Sequence, residues 1–211
     1  RATLNDWDAV IMRLIMMLMT VAPIGVFCLM VTLFANMGFS AIADLLKYFL
    51  TVVFVLLLHF SGTFSLLIRF AANLNPLTFY RKFSPVMAYA FSMASSNATL
   101  PITLEHVEDR LGVKNEVASF TVPLGATINM DGTAIMQGVA TVFISQAYNI
   151  DISMTGYLMV VLTATLASIG TAGVPGVGLI TLAMVLTQVG LPVEGIALII
   201  GVDRLLDMLR T

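Results

Sequence analysis

Residues 152–193 carry no formal charge, and the run is interrupted by Ala167-Ser168-Ile169-Gly170-Thr171-Ala172-Gly173-Val174-Pro175-Gly176-Val177-Gly178. Its length would serve two membrane crossings, since one helical crossing takes about 20 apolar residues. The middle cannot continue as helix, and its unpaired backbone groups cannot face lipid. Such a stretch must be buried in protein or line a polar cavity. Two half-length helices joined by a polar tip describe a re-entrant hairpin. A second stretch repeats the pattern: the apolar run between Lys82 and Glu105 is interrupted by Ala94-Ser95-Ser96-Asn97-Ala98-Thr99-Leu100-Pro101. Both interruptions begin Ala-Ser, continue with small or hydroxyl side chains and close with a proline.

Composition agrees with a lipid setting. Apolar side chains make up 59% and charged ones 10%, and the mean hydropathy is +0.98, whereas soluble domains carry about 25% charged residues. A net charge of −2 offers no basic field for nucleic acid. The single cysteine, Cys28, excludes an intrachain disulfide framework and a multi-thiolate metal site. The fold class read from this is an all-α integral membrane protein. The chain opens on Arg1 without a signal segment and stops inside a helical pattern, so it reads as a piece of a longer protein.

Along the chain, a first helix is expected over residues 8–37, kinked at Pro23, with the turn Gly38-Phe39-Ser40 after it. A span over 41–72 follows, ended by Asn73-Leu74-Asn75-Pro76. His59, deep in that span, reads as a hydrogen-bonded structural histidine ahead of a functional one. Then come the first hairpin, 76–112, a broken helix, 115–149, the second hairpin, 152–189, and a last helix, 193–211. In the broken helix Asn129-Met130-Asp131-Gly132-Thr133 interrupts an apolar run, and Asp131 would lie near mid-membrane. A carboxylate there must be paired or bound to a cation. Arg1, Arg13, Arg69, Arg81, Lys82, Arg110 and Lys114 fall at one set of alternate ends, with Lys47 alone at the other, and place those ends in the cytoplasm. The hairpins then enter from opposite sides, and their tips can meet near the midplane.

The polar residues at those tips have a coherent chemistry. Ser95, Ser96, Asn97 and Thr99 offer hydroxyls and an amide, while the unwound 129–131 and 169–178 offer backbone groups. Carbonyls with a carboxylate in a dry segment suit a hard cation such as Na⁺, and half-helix N-termini suit a substrate carboxylate. Asp203, Asp207 and Arg210, spaced four and three apart, share one helix face. Arg210 can clamp a carboxylate with two parallel bonds, and Asp207 can accept from an ammonium. Together these fit an acidic amino acid moved with cations. A paired Ser/His or two catalytic aspartates are not evident, so the chain does not read as an enzyme.

Four signatures in order carry a family resemblance: Ser95-Ser96-x-x-Thr99-Leu100-Pro101, Gly125-Ala126-Thr127-Ile128-Asn129-Met130-Asp131-Gly132-Thr133, Ala167-Ser168-Ile169-Gly170-Thr171-Ala172-Gly173-Val174-Pro175, and Asp203-x-x-x-Asp207-x-x-Arg210-Thr211. The chain resembles the dicarboxylate/amino acid:cation symporters, which include archaeal aspartate transporters and animal excitatory amino-acid transporters. The resemblance implies homotrimers in a bilayer whose transport domains move by an elevator motion, with the second hairpin as extracellular gate. Residues 1–40 would be a scaffold (trimerisation) helix and 41–211 most of the transport domain. Substrate would meet Ser95, Ser96, Thr133, Val174, Gly178, Asp207 and Arg210. Sodium would be held by Gly125, Thr127, Asn129, Met130, Asp131, Ser168, Ile169 and Thr171, with Asp203 nearby, and no other cofactor is implied.

The departures carry information too. Archaeal relatives have arginine where this chain has Ala94; here, as in the animal members, an arginine stands on the last helix, Arg204, able to send its charge into the same volume. Gln137 replaces a glutamate linked to proton coupling in the animal proteins, and an amide carries no such proton. The reading is a sodium-coupled glutamate or aspartate symporter in a bacterial-type inner membrane, crossing it several times. A C4-dicarboxylate carrier of the same family is the alternative, and an anion or cation channel is the rival from another class.

Overall fold

The computed structural model describes residues 40–211 continuously and scattered helical positions between Val10 and Val31. The expected helix over 8–37, its kink and the scaffold assignment for 1–40 lie essentially outside the described residues. Helix α1 runs Ser40–Leu58 and continues through two π-helical stretches, His59–Phe64 and Leu67–Ala71. Ile42–Ala71 forms 30 helical residues long and apolar enough to cross a membrane; at 1.5 Å per residue that is about 45 Å. Then follow α2 (Pro76–Met93), α3 (Ser96–Leu111), α4 (Asn115–Ile128) and α5 (Asp131–Ala147). The last three are α6 (Met154–Ile169), α7 (Val177–Gln188) and α8 (Ile196–Arg210). Among the described residues there is no strand.

Two helical hairpins, α2–α3 and α6–α7, flank the broken pair α4–α5. The breaks are shorter than the sequence reading had them. Ser96 to Pro101 is helical, and only Ala94 and Ser95 leave the first helix, Ala94 in the left-handed region (φ 49°). The hydroxyl residues there build the next helix instead of breaking one. Ser95 Oγ caps α3 by accepting from the Ala98 N–H, and Thr99 Oγ1 donates to the Ser95 carbonyl. In the second hairpin Ser168 and Ile169 still belong to α6, and the turn lies between Gly170 and Gly176. In the broken pair only Asn129 and Met130 are unwound; Asp131 opens α5.

One apolar core joins α1, α5, α6, α7 and α8. Leu45, Tyr48 and Val52 on α1 meet Met136, Ala140 and Ile144 on α5, with Leu182, Val185 and Leu186 from α7 and Ile199 and Leu206 from α8. The three-, four- and seven-residue spacings are one helix stripe in each case. The outer faces stay apolar: Phe54, Phe70, Val161, Leu166 and Ile180 are all exposed. That outward apolar skin is the reverse of a soluble surface. A polar file of Thr133, Gln137 and Thr141 runs buried along α5, every fourth residue, from the unwound segment into the core.

Candidate substrate cavity and the tips that close it

The tips of the two hairpins meet. Ser95 Oγ (2.8 Å) and the Asn97 N–H (3.1 Å) both donate to the Gly173 carbonyl. A Cβ on Gly173 would stand 2.8 Å from Asn97 Oδ1 and 3.0 Å from Ser96 Cβ, so only glycine lets the tips come this close. Beneath them lies a cavity of about 80 Å³ bounded by Ser96, Asn129, Met130, Thr133, Thr171, Val174, Gly178, Asp207 and Arg210. Ser96, Thr133, Val174, Gly178, Asp207 and Arg210 from the sequence-predicted substrate set therefore share one wall. Ser95 does not line it; its hydroxyl is used in the tip contact.

Helix α8 supplies the charge. Arg210 has a side chain only 3% exposed, and its Nη2 reaches Asp203 Oδ1 at 3.0 Å and Asp207 Oδ1 at 2.9 Å. One guanidinium between two carboxylates leaves the cluster with one excess negative charge. Among the described residues its buried Nη1 and Nε have no hydrogen-bond partner, which leaves donors of a planar fork suited to a carboxylate. Gly178 lies under that fork, since a Cβ there would meet Nη1 at 3.3 Å; a Cβ on Gly132 would stand 3.1 Å from the Arg210 backbone. Asp207 Oδ2 accepts from the Gly176 N–H at 3.0 Å, so the second hairpin is anchored to the same carboxylate.

Behind the cavity wall, Gln137 Nε2 donates to Thr181 Oγ1 (2.7 Å) and to the Gly178 carbonyl (3.3 Å). Thr181 and Thr171 hydroxyls are 3.2 Å apart. This knits α5, the second tip and α7 together in a dry place, where hydrogen bonds are strong.

The sequence-predicted sodium residues divide. Gly125 accepts the Asn129 N–H through its carbonyl, and the Met130 carbonyl accepts from Thr133 and Ala134. Ser168 is buried and its hydroxyl donates to Thr165, while Thr171 donates to Ala167. Ile169 is exposed at the end of α6. Thr127 is exposed and donates to Pro123 on its own helix; among the described residues no hydrogen bond joins it to Ser168, Ile169 or Thr171. Asp131 is off the cavity. Its side chain is 46% exposed and faces a groove of about 720 Å³ that also takes in His59, Phe60, Asn129 and Thr211.

Two expectations are corrected. Arg204 is exposed on α8 and does not line the cavity, because it is one residue, and so about 100° of helix turn, away from buried Asp203. His59 is not a conventionally hydrogen-bonded histidine: among the described residues its buried Nε2 has no hydrogen-bond partner, and Asp131 Oδ2 is 3.5 Å away. The sequence reading also missed the Gly173 contact, whose only trace was a glycine among small residues.

The whole chain, residues 1–211, matches the sodium:dicarboxylate symporter family. It is 44% identical over 208 residues to an excitatory amino acid transporter of Caenorhabditis elegans, covering 97% of this chain and 41% of the relative. It is 40% identical over 210 residues to excitatory amino acid transporter 2 of Homo sapiens (98% of this chain, 36% of the relative). With excitatory amino acid transporter 1 of Mus musculus it shares 39% over 213 residues (100% and 39%). The chain thus spans well under half the length of these relatives. Transport across a membrane, not catalysis, is the business of that group, and an all-helical fold with an apolar exterior and a charged interior accords with it: the chain belongs to the sodium:dicarboxylate symporter family.

Proposed function

We propose that this chain is the substrate-binding part of a sodium-coupled symporter for glutamate or aspartate. The observation that carries the reading is Arg210: a buried guanidinium with free donors beside a cavity, held by two carboxylates. A substrate carboxylate takes the free fork of Arg210, and the substrate ammonium takes Asp207. Ser96 and the tip backbone meet the remaining carboxylate. The charge count explains the coupling. A cluster already negative by one, receiving an acidic amino acid that is itself negative by one, needs cations to enter with it. Na⁺ suits the oxygen set of Asn129, Met130 and Asp131, with Gly125, Thr127, Ser168, Ile169 and Thr171 contributing to neighbouring cation positions.

The same count disfavours a C4-dicarboxylate, which brings two negative charges and no ammonium to face Asp207. It also disfavours a neutral amino acid, which leaves Arg210 without its carboxylate. The remaining features follow from the family reading. Both hairpins are re-entrant on this reading, and in the second the helices of 16 and 12 residues fall short of the ~20 a crossing needs. The second hairpin gates the cavity from outside, and 41–211 moves as an elevator against a trimeric scaffold that includes 1–40. The protein is a multi-pass component of the cell (inner) membrane. Lys82, whose Nζ approaches the Arg110 carbonyl (3.5 Å), groups basic loops at one end and supports the cytoplasmic placement of that end.

Uptake by the full-length protein in proteoliposomes tests the reading. Labelled aspartate or glutamate should enter only down a sodium gradient, with succinate and serine left outside. Sodium-independent uptake, or succinate taken as readily, would overturn it.

A further inference from the structure

His59 stands outside every role assigned so far, yet it is the polar neighbour of Asp131. The two lie on different helices, 3.5 Å apart between Nε2 and Oδ2. Among the described residues Asp131 has no hydrogen bond through its carboxylate, and His59 Nε2 is shut away from solvent with no other polar partner. The ring is fixed from the side by Phe64, edge-on with centroids 4.8 Å apart. It also opens a π-helical turn, a distortion that recurs where a helix must aim a functional side chain. A buried imidazole nitrogen left without a partner is costly, so an aim at this one carboxylate is the arrangement that repays it.

We propose that His59 is a positioning residue for the cation site: with its proton on Nε2 it donates to Asp131 Oδ2 and holds the carboxylate so that Oδ1 faces the incoming Na⁺. The inference rests on the sodium reading above. Outer partners that orient a ligating group commonly alter metal affinity about 10- to 100-fold when removed.

Sodium affinity can be read without transport. The thermal unfolding midpoint of the full-length protein in detergent is followed against sodium concentration, choline replacing sodium and no amino acid present; bound ligand raises the midpoint. His59→Phe keeps the ring against Phe64 and removes the donor. It should raise the half-saturating sodium concentration about tenfold, and His59→Gln, which restores a donor, should bring it back to within about threefold of the original. Should His59→Phe not fold, His59→Ala set against His59→Gln gives the same comparison. An unchanged sodium titration in the donor-less variant, or one shifted equally in His59→Gln, overturns the positioning role while leaving the symporter reading intact. A parent protein whose midpoint ignores sodium overturns the reading itself, and the proposal with it.

Discussion

The cavity at the hairpin tips and the groove beside Asp131 share Ser96, Asn129, Gly132, Arg210 and Thr211 as walls, yet they are built to opposite specifications. In the cavity every carboxylate is engaged: Asp203 and Asp207 hold Arg210, and Asp207 also holds Gly176. The volume is small and glycines set its walls. In the groove a half-exposed carboxylate has one distant partner, and the volume is nine times larger, about 720 Å³ against about 80 Å³. Under the proposed function, the contrast gives each kind of ligand its own place. A substrate recognised by charge and shape needs fixed, desolvated partners whose cost is met at folding. A hard cation needs a carboxylate that keeps an oxygen open to accept it.

Four substitutions in the full-length protein break or sharpen that contrast. The largest effect belongs to Arg210. Arg210→Cys removes the fork and leaves Asp203 and Asp207 buried without their cation, so acidic amino-acid binding should fall by about 3–5 kcal/mol, more than 100-fold. Equilibrium binding of labelled aspartate checks it, and retained affinity would detach the cavity from carboxylate recognition. Next is Asp131→Asn, which should raise the half-saturating sodium concentration about 10- to 100-fold. Aspartate affinity at saturating sodium should stay close to the original. If sodium and aspartate affinities fall together, the two regions are one site and the contrast fails.

Gly173→Ala pushes a Cβ against Asn97 and Ser96 and should open the tips at a cost of about 1–3 kcal/mol. Labelled substrate should leave faster, about tenfold or more, while sodium binding measured alone stays put. The smallest effect is Thr181→Val, which takes away the hydroxyl that receives Gln137. Loss of one buried hydrogen bond should lower stability by about 1 kcal/mol, seen as a lower thermal midpoint with the sodium response preserved. A change in substrate selectivity there would move Gln137 from support into recognition.

Much of this arrangement was legible before any coordinates. Proline and glycine within uncharged runs marked where helices stop, and those signals are local: the helix ends at Met93, Ile128 and Ile169 fall within or next to the stretches they marked. Asp203, Asp207 and Arg210 were readable as one face because helix periodicity is the same wherever a helix lies. What escaped depends on approach between elements distant in sequence. The break lengths were overestimated because Ser95 and Thr99 look like interruptions until their hydroxyls are seen capping α3. Arg204 entered the reading through the resemblance to the animal members, while helix geometry, one residue from Asp203, turns it outward. His59 passed for structural material, since no periodicity tells a histidine on α1 that Asp131 on α5 will stand opposite. Gly173 looked like one small residue among several; its role is set by the first hairpin, some 75 positions earlier in the chain.

The central claim is that the cavity on Arg210 and Asp207 takes an acidic amino acid together with sodium. Equilibrium binding of labelled aspartate to the purified full-length protein tests it most directly, in sodium and in choline, with succinate as competitor. Saturable binding that requires sodium and resists succinate is the predicted result. Binding that is equal in choline, or displaced by succinate as readily as by unlabelled aspartate, would contradict it.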